Sequence, residues 1–449
     1  MRSWVAATAA LMLLVAMSAG IVPWRDALGG AFRPPDFAQD IAAARILDSG
    51  GDPYTANFAA MHADVLGIAP TEGYPYLPHP PFVIVLSWPF ARVTFGVAAL
   101  CWFAVSLACA FALAVVLSGL ARTRTTFTLP RSPDALLCFG CLMLWPPVLY
   151  NLEKGQFSIA IAMLIALGWV FLSRRGCRSA GVCMGLAAAL KLFPVLLGGY
   201  LIVRHRRSAV WFVVTVVTAT ILPLLWTGWR AVPEFVAQTA GNLSYWETWP
   251  AVTYSFRGVA ARMLIGSQWS RAVIHAPNIA AAIALVLSVV LIAIAVYTTV
   301  RHARTKGADD LLFAIWSILL LPLNPLAMGH NGVLLALPIV LIGRVLATDR
   351  SPSLKMLWAI GCVLVSIPRQ AIFDPTSIPV SPVRSLTIVA LPLWGTLLLF
   401  ATGVAAANRE GSPGAMGDQR KRHRSAANVP GMQPSTAPHT ETPVGQSLS

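Results

Sequence analysis

The sequence predicts an all-α polytopic membrane protein, and three observations carry that prediction. Of the 449 residues, 57% are hydrophobic. Only 11% are charged, against about 25% in an ordinary soluble domain. The apolar residues gather into runs separated by short basic clusters, and the mean hydropathy is +0.68. These values exclude a soluble globular enzyme, a disordered protein and a coiled coil. The net charge of +15 does not point to nucleic acid. Its Lys and Arg residues lie between apolar runs, as topology determinants do, so the expected partner is the lipid bilayer and not a phosphodiester backbone.

In chain order, Val5 to Val22 is read as a retained first helix rather than a cleaved signal peptide. Pro23 to His79 is a polar stretch. Apolar runs follow at Pro80–Val93, Phe95–Leu120, Ala135–Tyr150, Phe157–Leu172, Ala180–Val203 and Val210–Trp226, then at Pro277–Val300, Leu311–Leu326, Val333–Leu346, Met356–Ile367 and Leu386–Ala406. Pro80–Val93 is too short to span and reads as a re-entrant or interfacial piece. Ala180–Val203 has basic residues at both ends and Lys191 and Pro194 in its middle. It reads as two short helices that turn within the membrane, where irregular backbone must line protein or a wet cavity. About ten to twelve transmembrane helices result.

The basic clusters at Arg2, Arg122–Arg131, Arg174–Arg178, Arg204–Arg207, Arg301–Lys306, Arg344–Lys355 and in the tail all fall on one side, which the positive-inside rule makes cytoplasmic. Residues 24–79 and 228–276 are then outer loops of a membrane domain covering 1–407. Residues 408–449, rich in Pro, Ser, Gly and Thr and basic at Arg420–Arg424, read as a disordered cytoplasmic tail. Six of the seven cysteines lie in or at the edge of apolar runs and the long polar loops carry none, so no disulfide framework is expected. Cys138 and Cys141 have metal-like spacing but no second pair, and they read as small helix residues.

The first outer loop is chemically unlike the rest. It carries Asp26, Asp36, Asp40, Asp48, Asp52, Asp64 and Glu72 together with GGDPY at Gly50–Tyr54 and YPYLPHPPF at Tyr74–Phe82. Asp36 opens a short amphipathic helix over Asp36–Leu47, and its bland reading is a helix cap. Asn151–Gln156, NLEKGQ, sits between apolar runs like the lip of a cavity. Lys191 is the strongest signal of function, since a lysine at mid-membrane costs about 2.5–3.5 kcal/mol on insertion scales. It must face water or a ligand of opposite charge, and a lipid phosphate suits. Trp226, Trp229, Trp246 and Trp249 suit an interfacial belt or sugar stacking. Arg257 and Arg262, on a short helix over Ser255–Leu264, suit a phosphate clamp or headgroups. His330 lies in a turn shaped by Pro322, Pro325, Gly329 and Gly332. No phosphate-binding glycine loop, dinucleotide fingerprint, D-x-D pair or zinc-protease motif is present. An enzyme of this shape would draw on a lipid-borne activated donor.

Several of these residues together resemble glycosyltransferase family 87, polyprenol-phosphate-mannose-dependent mannosyltransferases of the GT-C superfamily. The resemblance is carried by Asp36-Phe37, by A-x-x-L-x-x-G-G-D-P-Y ending at Tyr54, and by Tyr76-Leu77-Pro78. It continues at Gly155-Gln156, at Gly181–Pro194 (G-x-x-x-G-L-A-x-x-x-K-x-x-P, the most specific piece), at Ser255–Arg262 and at Asn324-Pro325 with His330, where Asn324 replaces the usual Ser. It extends from about Asp36 to Leu346.

The resemblance implies a GT-C fold with short amphipathic helices in the first outer loop. It implies transfer of a sugar, mannose by family default, from polyprenyl phosphate to a hydroxyl of a glycolipid or polysaccharide acceptor on the outer face of a bacterial plasma membrane. The expected mechanism inverts the anomeric centre without metal or cofactor. Asp36 is then the general base, Lys191, His330 and Arg257 bind the donor phosphate, and Tyr54, Gln156 and Tyr76 bind substrate. A flippase or transporter using Lys191, and a glycan polymerase or ligase using a diphosphate donor with Arg257, Arg262 and Arg369, are the competing readings.

Overall fold

The computed structural model describes residues 33–410, except 55–56, 71–73, 75, 123–129, 131, 306–307, 369–371 and 373–377. The expected first helix and the tail after Glu410 lie outside the described residues, as do Asp26, Glu72 and Arg369. Among the described residues the chain is helical with no strand beyond isolated bridges.

The stretch expected to form the first outer loop folds into α1 (Pro35–Asp48) and α2 (Phe58–Leu66). Prolines start many of the helices that follow, because proline's fixed φ suits the first helical position and the missing N–H would be unpaired there anyway. One such helix is α3 (Pro81–Ser87), which continues as a 3-10 turn over Trp88–Phe90. The membrane helices then run α4 (Phe95–Arg122), α5 (Ser132–Leu144), α6 (Pro146–Lys154), α7 (Ser158–Ser173), α8 (Cys177–Leu190), α9 (Leu196–Arg204) and α10 (Arg206–Ile221). The stretch expected to form the second outer loop is itself helical, with α11 (Ala231–Glu247) and α12 (Phe256–Leu264), the latter capped by the Ser255 side chain. The chain ends with α13 (Pro277–Arg301), α14 (Asp309–Leu319), a 3-10 stretch over Gly329–Leu335, α15 (Ala336–Leu346), α16 (Pro352–Val365) and α17 (Leu391–Glu410).

Among the described residues five helices are long and apolar enough to cross a membrane, or six if one bent pair is a single span. Shorter apolar helices such as α7, α8 and α16 lie between them, so this is a multi-pass membrane protein. The bent pair corrects one expected element. Ala135–Tyr150 is not one run but α5 and α6, bent by 69° at Trp145. Pro146 and Pro147 are the cause: they remove two donors from the helix ladder and hold Trp145 extended at φ −77°, ψ 125°. The outermost helix is α13, whose Leu285, Val286, Val289 and Val290 are all exposed, as a lipid-facing surface requires.

Ala180–Val203 is broken, as its charge pattern predicts. Helix α8 stops at Leu190, Lys191 is extended at φ −147°, ψ 137°, and a 3-10 turn over Phe193–Val195 leads into α9. The two glycines of the G-x-x-x-G pattern have a packing role. A Cβ on Gly181 would lie 2.7 Å from Trp211 Cβ, and one on Gly185 would lie 2.7 Å from Thr215 Cβ, both on α10. Close backbone approach of this kind is how helices associate in lipid, where apolar burial adds little. Gly181→Leu is therefore expected to destabilise by about 1–3 kcal/mol through overpacking. Thermal unfolding in detergent reads this; a midpoint equal to wild type would show that α8 and α10 separate without cost.

Candidate active site

The local sequence positions each site residue. Pro34, and not Asp36, is the N-cap of α1. The capping reading of Asp36 is thus replaced: it is the second helical residue, and its carboxylate turns outward to Gln156. Gln156 Nε2 donates to Asp36 Oδ2 at 2.6 Å. Lys191 Nζ in turn donates to Gln156 Oε1. Loop one, the GQ turn and the α8 break therefore meet in a single chain, carboxylate to amide to ammonium.

The amide works as a spacer. A direct ion pair would tie up both charged groups. With Gln156 between them, Asp36 keeps its second oxygen and Lys191 keeps its further N–H donors for the space beside them. Gln156 itself is fixed, since its backbone carbonyl accepts from Asn151 Nδ2 at 2.8 Å.

Gly155 makes this approach feasible. It closes α6 in the left-handed conformation at φ +72°, and a Cβ there would lie 2.7 Å from Phe37 Cβ and 2.8 Å from Pro34 Cβ. Its carbonyl accepts from Trp102 Nε1 at 2.8 Å, and the Trp102 ring stacks on Phe37 at 5.3 Å. Gly155→Ala is thus expected to push α1 away and lower turnover about 100-fold, the penalty of a misplacement near 1 Å in a catalytic group. Steady-state rates of the variant check this; an unchanged rate would show that α1 tolerates the shift.

These groups open on a cavity of about 670 Å³. Its polar side holds Asp36, Tyr76, Gln156, Lys191, His330 and Asn331. Its apolar side includes Leu192, Phe193, Leu196 and residues of α11 such as Val236 and Leu243. Trp246 and Trp249, at the end of α11, also face it and meet edge to face at 5.3 Å. Such a cavity, largely apolar with a few convergent polar groups, fits a ligand of mixed character. His330 is buried beside Tyr150, ring centroids 5.7 Å apart, on the 3-10 stretch that Asn331 anchors to Ser158 Oγ at 3.1 Å.

Of the residues singled out from sequence, the structure brings Asp36, Tyr76, Gln156, Lys191 and His330 to one cavity. Tyr54 is buried behind the wall, where its hydroxyl donates to the His79 carbonyl at 2.7 Å. Arg257 is not brought in. It pairs with the buried Glu247 at 2.5 Å and is absent from the cavity lining. Arg262 is fully buried and donates from Nη1 to the Val252 carbonyl at 2.7 Å, which makes it a brace for the second outer loop.

Sequence reading missed Asp40 and His79. They pair at 2.5 Å, Nδ1 to Oδ1, with Asp40 wholly inaccessible. Burial raises the Asp40 carboxyl above its ordinary range against the opposing pull of His79. The i, i+4 spacing of Asp36 and Asp40 on a short helix was the available signal. It missed His62 as well. There Nδ1 accepts from the Tyr74 N–H at 3.0 Å, so Nε2 carries the proton and donates to the Pro35 carbonyl at 3.0 Å. Burial pushes the His62 imidazole below its usual pKa, in keeping with a neutral ring that ties α2 to the start of α1.

Residues 76–286 match the model of glycosyltransferase family 87. A polyprenol-phosphate-mannose-dependent alpha-(1-2)-phosphatidylinositol pentamannoside mannosyltransferase of Mycobacterium tuberculosis (strain CDC 1551 / Oshkosh) is 31% identical to the chain over 232 residues, 47% of this chain and 52% of the relative. The chain thus spans about half the length of that relative. The family match is narrower than the motifs suggested: it contains Tyr76, Gln156, Lys191 and Arg257, and stops short of Asp36, Tyr54 and His330 on either side. The family that the motifs resemble is the one the comparisons return: residues 76–286 match the model of glycosyltransferase family 87.

Proposed function

We propose that the protein is a membrane glycosyltransferase that moves a sugar, mannose in the first instance, from polyprenyl phosphate to a hydroxyl of a glycolipid or polysaccharide on the outer face of a plasma membrane. The observation that carries this reading is the Asp36–Gln156–Lys191 chain at the head of a cavity with an apolar wall. The arrangement supplies what the transfer demands. Asp36 accepts the proton of the acceptor hydroxyl as its oxygen bonds to the anomeric carbon. The bond from that carbon to the phosphate oxygen breaks on the opposite face, and its electron pair leaves with polyprenyl phosphate, so the configuration inverts. Lys191 stabilises the charge that gathers on the departing phosphate, with His330 in the lining of the same cavity. Leu192, Phe193 and Leu196 offer an apolar path for the first isoprene units. Neither a metal nor a cofactor enters this scheme. Arg257, held by Glu247, is left out of the phosphate assignment.

The test uses the full chain in lipid nanodiscs with radiolabelled polyprenyl-phosphate-mannose and a membrane glycolipid extract. Transfer of label to give an α-linked product is expected. Release of mannose to water alone, or movement of intact donor across a vesicle membrane without transfer, would replace this reading with a hydrolase or a flippase.

A further inference from the structure

The Asp40–His79 pair is unexplained by the scheme above. A helix such as α1 could bury alanine at position 40 at no electrostatic cost, yet it buries a carboxylate whose Oδ2 has no hydrogen-bond partner among the described residues. His79 sits between that carboxylate and the cavity, whose lining it joins. The ring is fixed on every side that can be read. Its Nδ1 faces Asp40 Oδ1 at 2.5 Å, its backbone carbonyl accepts from Tyr54, and its ring stands perpendicular to that of Phe157 with centroids 5.9 Å apart. Asp40 lies one turn beyond Asp36 on the same helix, so the imidazole is held next to the proposed base.

We propose that His79 contacts a sugar in this cavity, its Nε2 accepting a hydrogen bond from a hydroxyl next to the reacting one, and that Asp40 is the positioning residue that sets this tautomer. A carboxylate on Nδ1 keeps the proton there and leaves Nε2 as an acceptor, the logic by which a buried aspartate orients a catalytic histidine. An amide in place of Asp40 can turn its NH2 to Nδ1, which moves the ring proton to Nε2 and converts acceptor to donor without changing shape. The inference rests on the glycosyltransferase reading for the identity of the ligand as a sugar, but not for its rate.

The experiment is isothermal titration of the full chain in nanodiscs with octyl mannoside, octyl glucoside and octyl galactoside, alongside the transfer assay. Wild type is expected to bind at least one of them. Asp40→Asn and His79→Ala are expected to bind it about tenfold more weakly, as loss of one buried hydrogen bond implies. His79→Gln, whose side-chain oxygen can stand where Nε2 stood, is expected to remain within about threefold of wild type. A merely structural pair would not separate the Gln from the Ala variant, and that comparison decides alone if Asp40→Asn fails to fold. Equal affinity of all variants, or no binding of any octyl glycoside by wild type, overturns the proposal. Variant-dependent glycoside binding with no transfer by wild type would sink the transfer reading while leaving the His79 contact standing.

Discussion

Replacing Asp36 by asparagine is expected to lower kcat for sugar transfer by about 10²–10⁴-fold, the usual contribution of a general base. The substitution is chosen because it removes basicity and little else. The side-chain volume is kept, and the asparagine carbonyl can still accept from Gln156 Nε2, so the turn at Gly155 and the start of α1 should hold. Donor binding should be retained or tighten, since one negative charge beside an anionic phosphate is gone and Lys191 loses a competing anion. The signature is therefore a split, with kcat falling while donor affinity does not. Single-turnover rates with labelled donor, next to a direct binding titration, read both halves. Transfer at the wild-type rate would remove Asp36 from the reaction and move attention to Asp40, the other carboxylate near Lys191.

Replacing Lys191 by methionine is expected to lower kcat/KM for donor by about 10²–10³-fold, the scale of losing one preorganised group that stabilises developing charge. Unlike the Asp36 variant, this one should also weaken donor binding, because the phosphate is anionic before and after transfer. Stability should behave differently from activity. Removing a lysine from membrane depth relieves about 2.5–3.5 kcal/mol of insertion cost. Against that, Gln156 loses its donor and Asp36 and Asp40 lose a neighbouring positive charge. These effects oppose each other, so the thermal midpoint should shift by only a few degrees while activity collapses. A large fall in the midpoint would make Lys191 a structural residue, and wild-type turnover in a well-folded variant would exclude it from the site.

How far the site was legible depends on whether its information was local. The break at Lys191 was legible because a charge and a proline in an apolar run have no other accommodation. The short helix over Ser255–Leu264 was legible, and the structure adds that the Ser255 side chain caps it. Asp36 was found as a residue, but its partner was not, because Gln156 lies 120 positions away and only the fold joins them. The same holds for Asp40 and His79, 39 positions apart. Helix α11 was read as plain loop because its sequence mixes Pro233, Glu234 and Gly241 with apolar residues; its place as a cavity wall is decided by what packs on it. Arg257 looked like a phosphate clamp from its spacing, and only the buried Glu247 ten residues earlier reveals another partner. The bend at Trp145 was in plain sight as Pro146-Pro147, but average hydropathy runs straight through it.

Helix α8 has one more property. It runs 14 residues from Cys177 beside the Arg174–Arg178 cluster to Leu190, so it is about 20 Å long. On the orientation that the basic clusters predict, those arginines would hold its lower end among the inner headgroups, while its glycines pack it against α10 along the way. With α8 along the membrane normal, the ammonium at its tip would stand at a fixed height above the inner leaflet, about 10 Å beneath the outer edge of a hydrocarbon layer of about 30 Å. So placed, the helix would act as a ruler measured from the opposite side of the membrane. In a thicker bilayer the tip stays put while the outer surface rises, and a phosphate floating at that surface must sink further to meet it. Turnover should therefore track acyl-chain length in the surrounding lipid, with an optimum where ruler and bilayer agree.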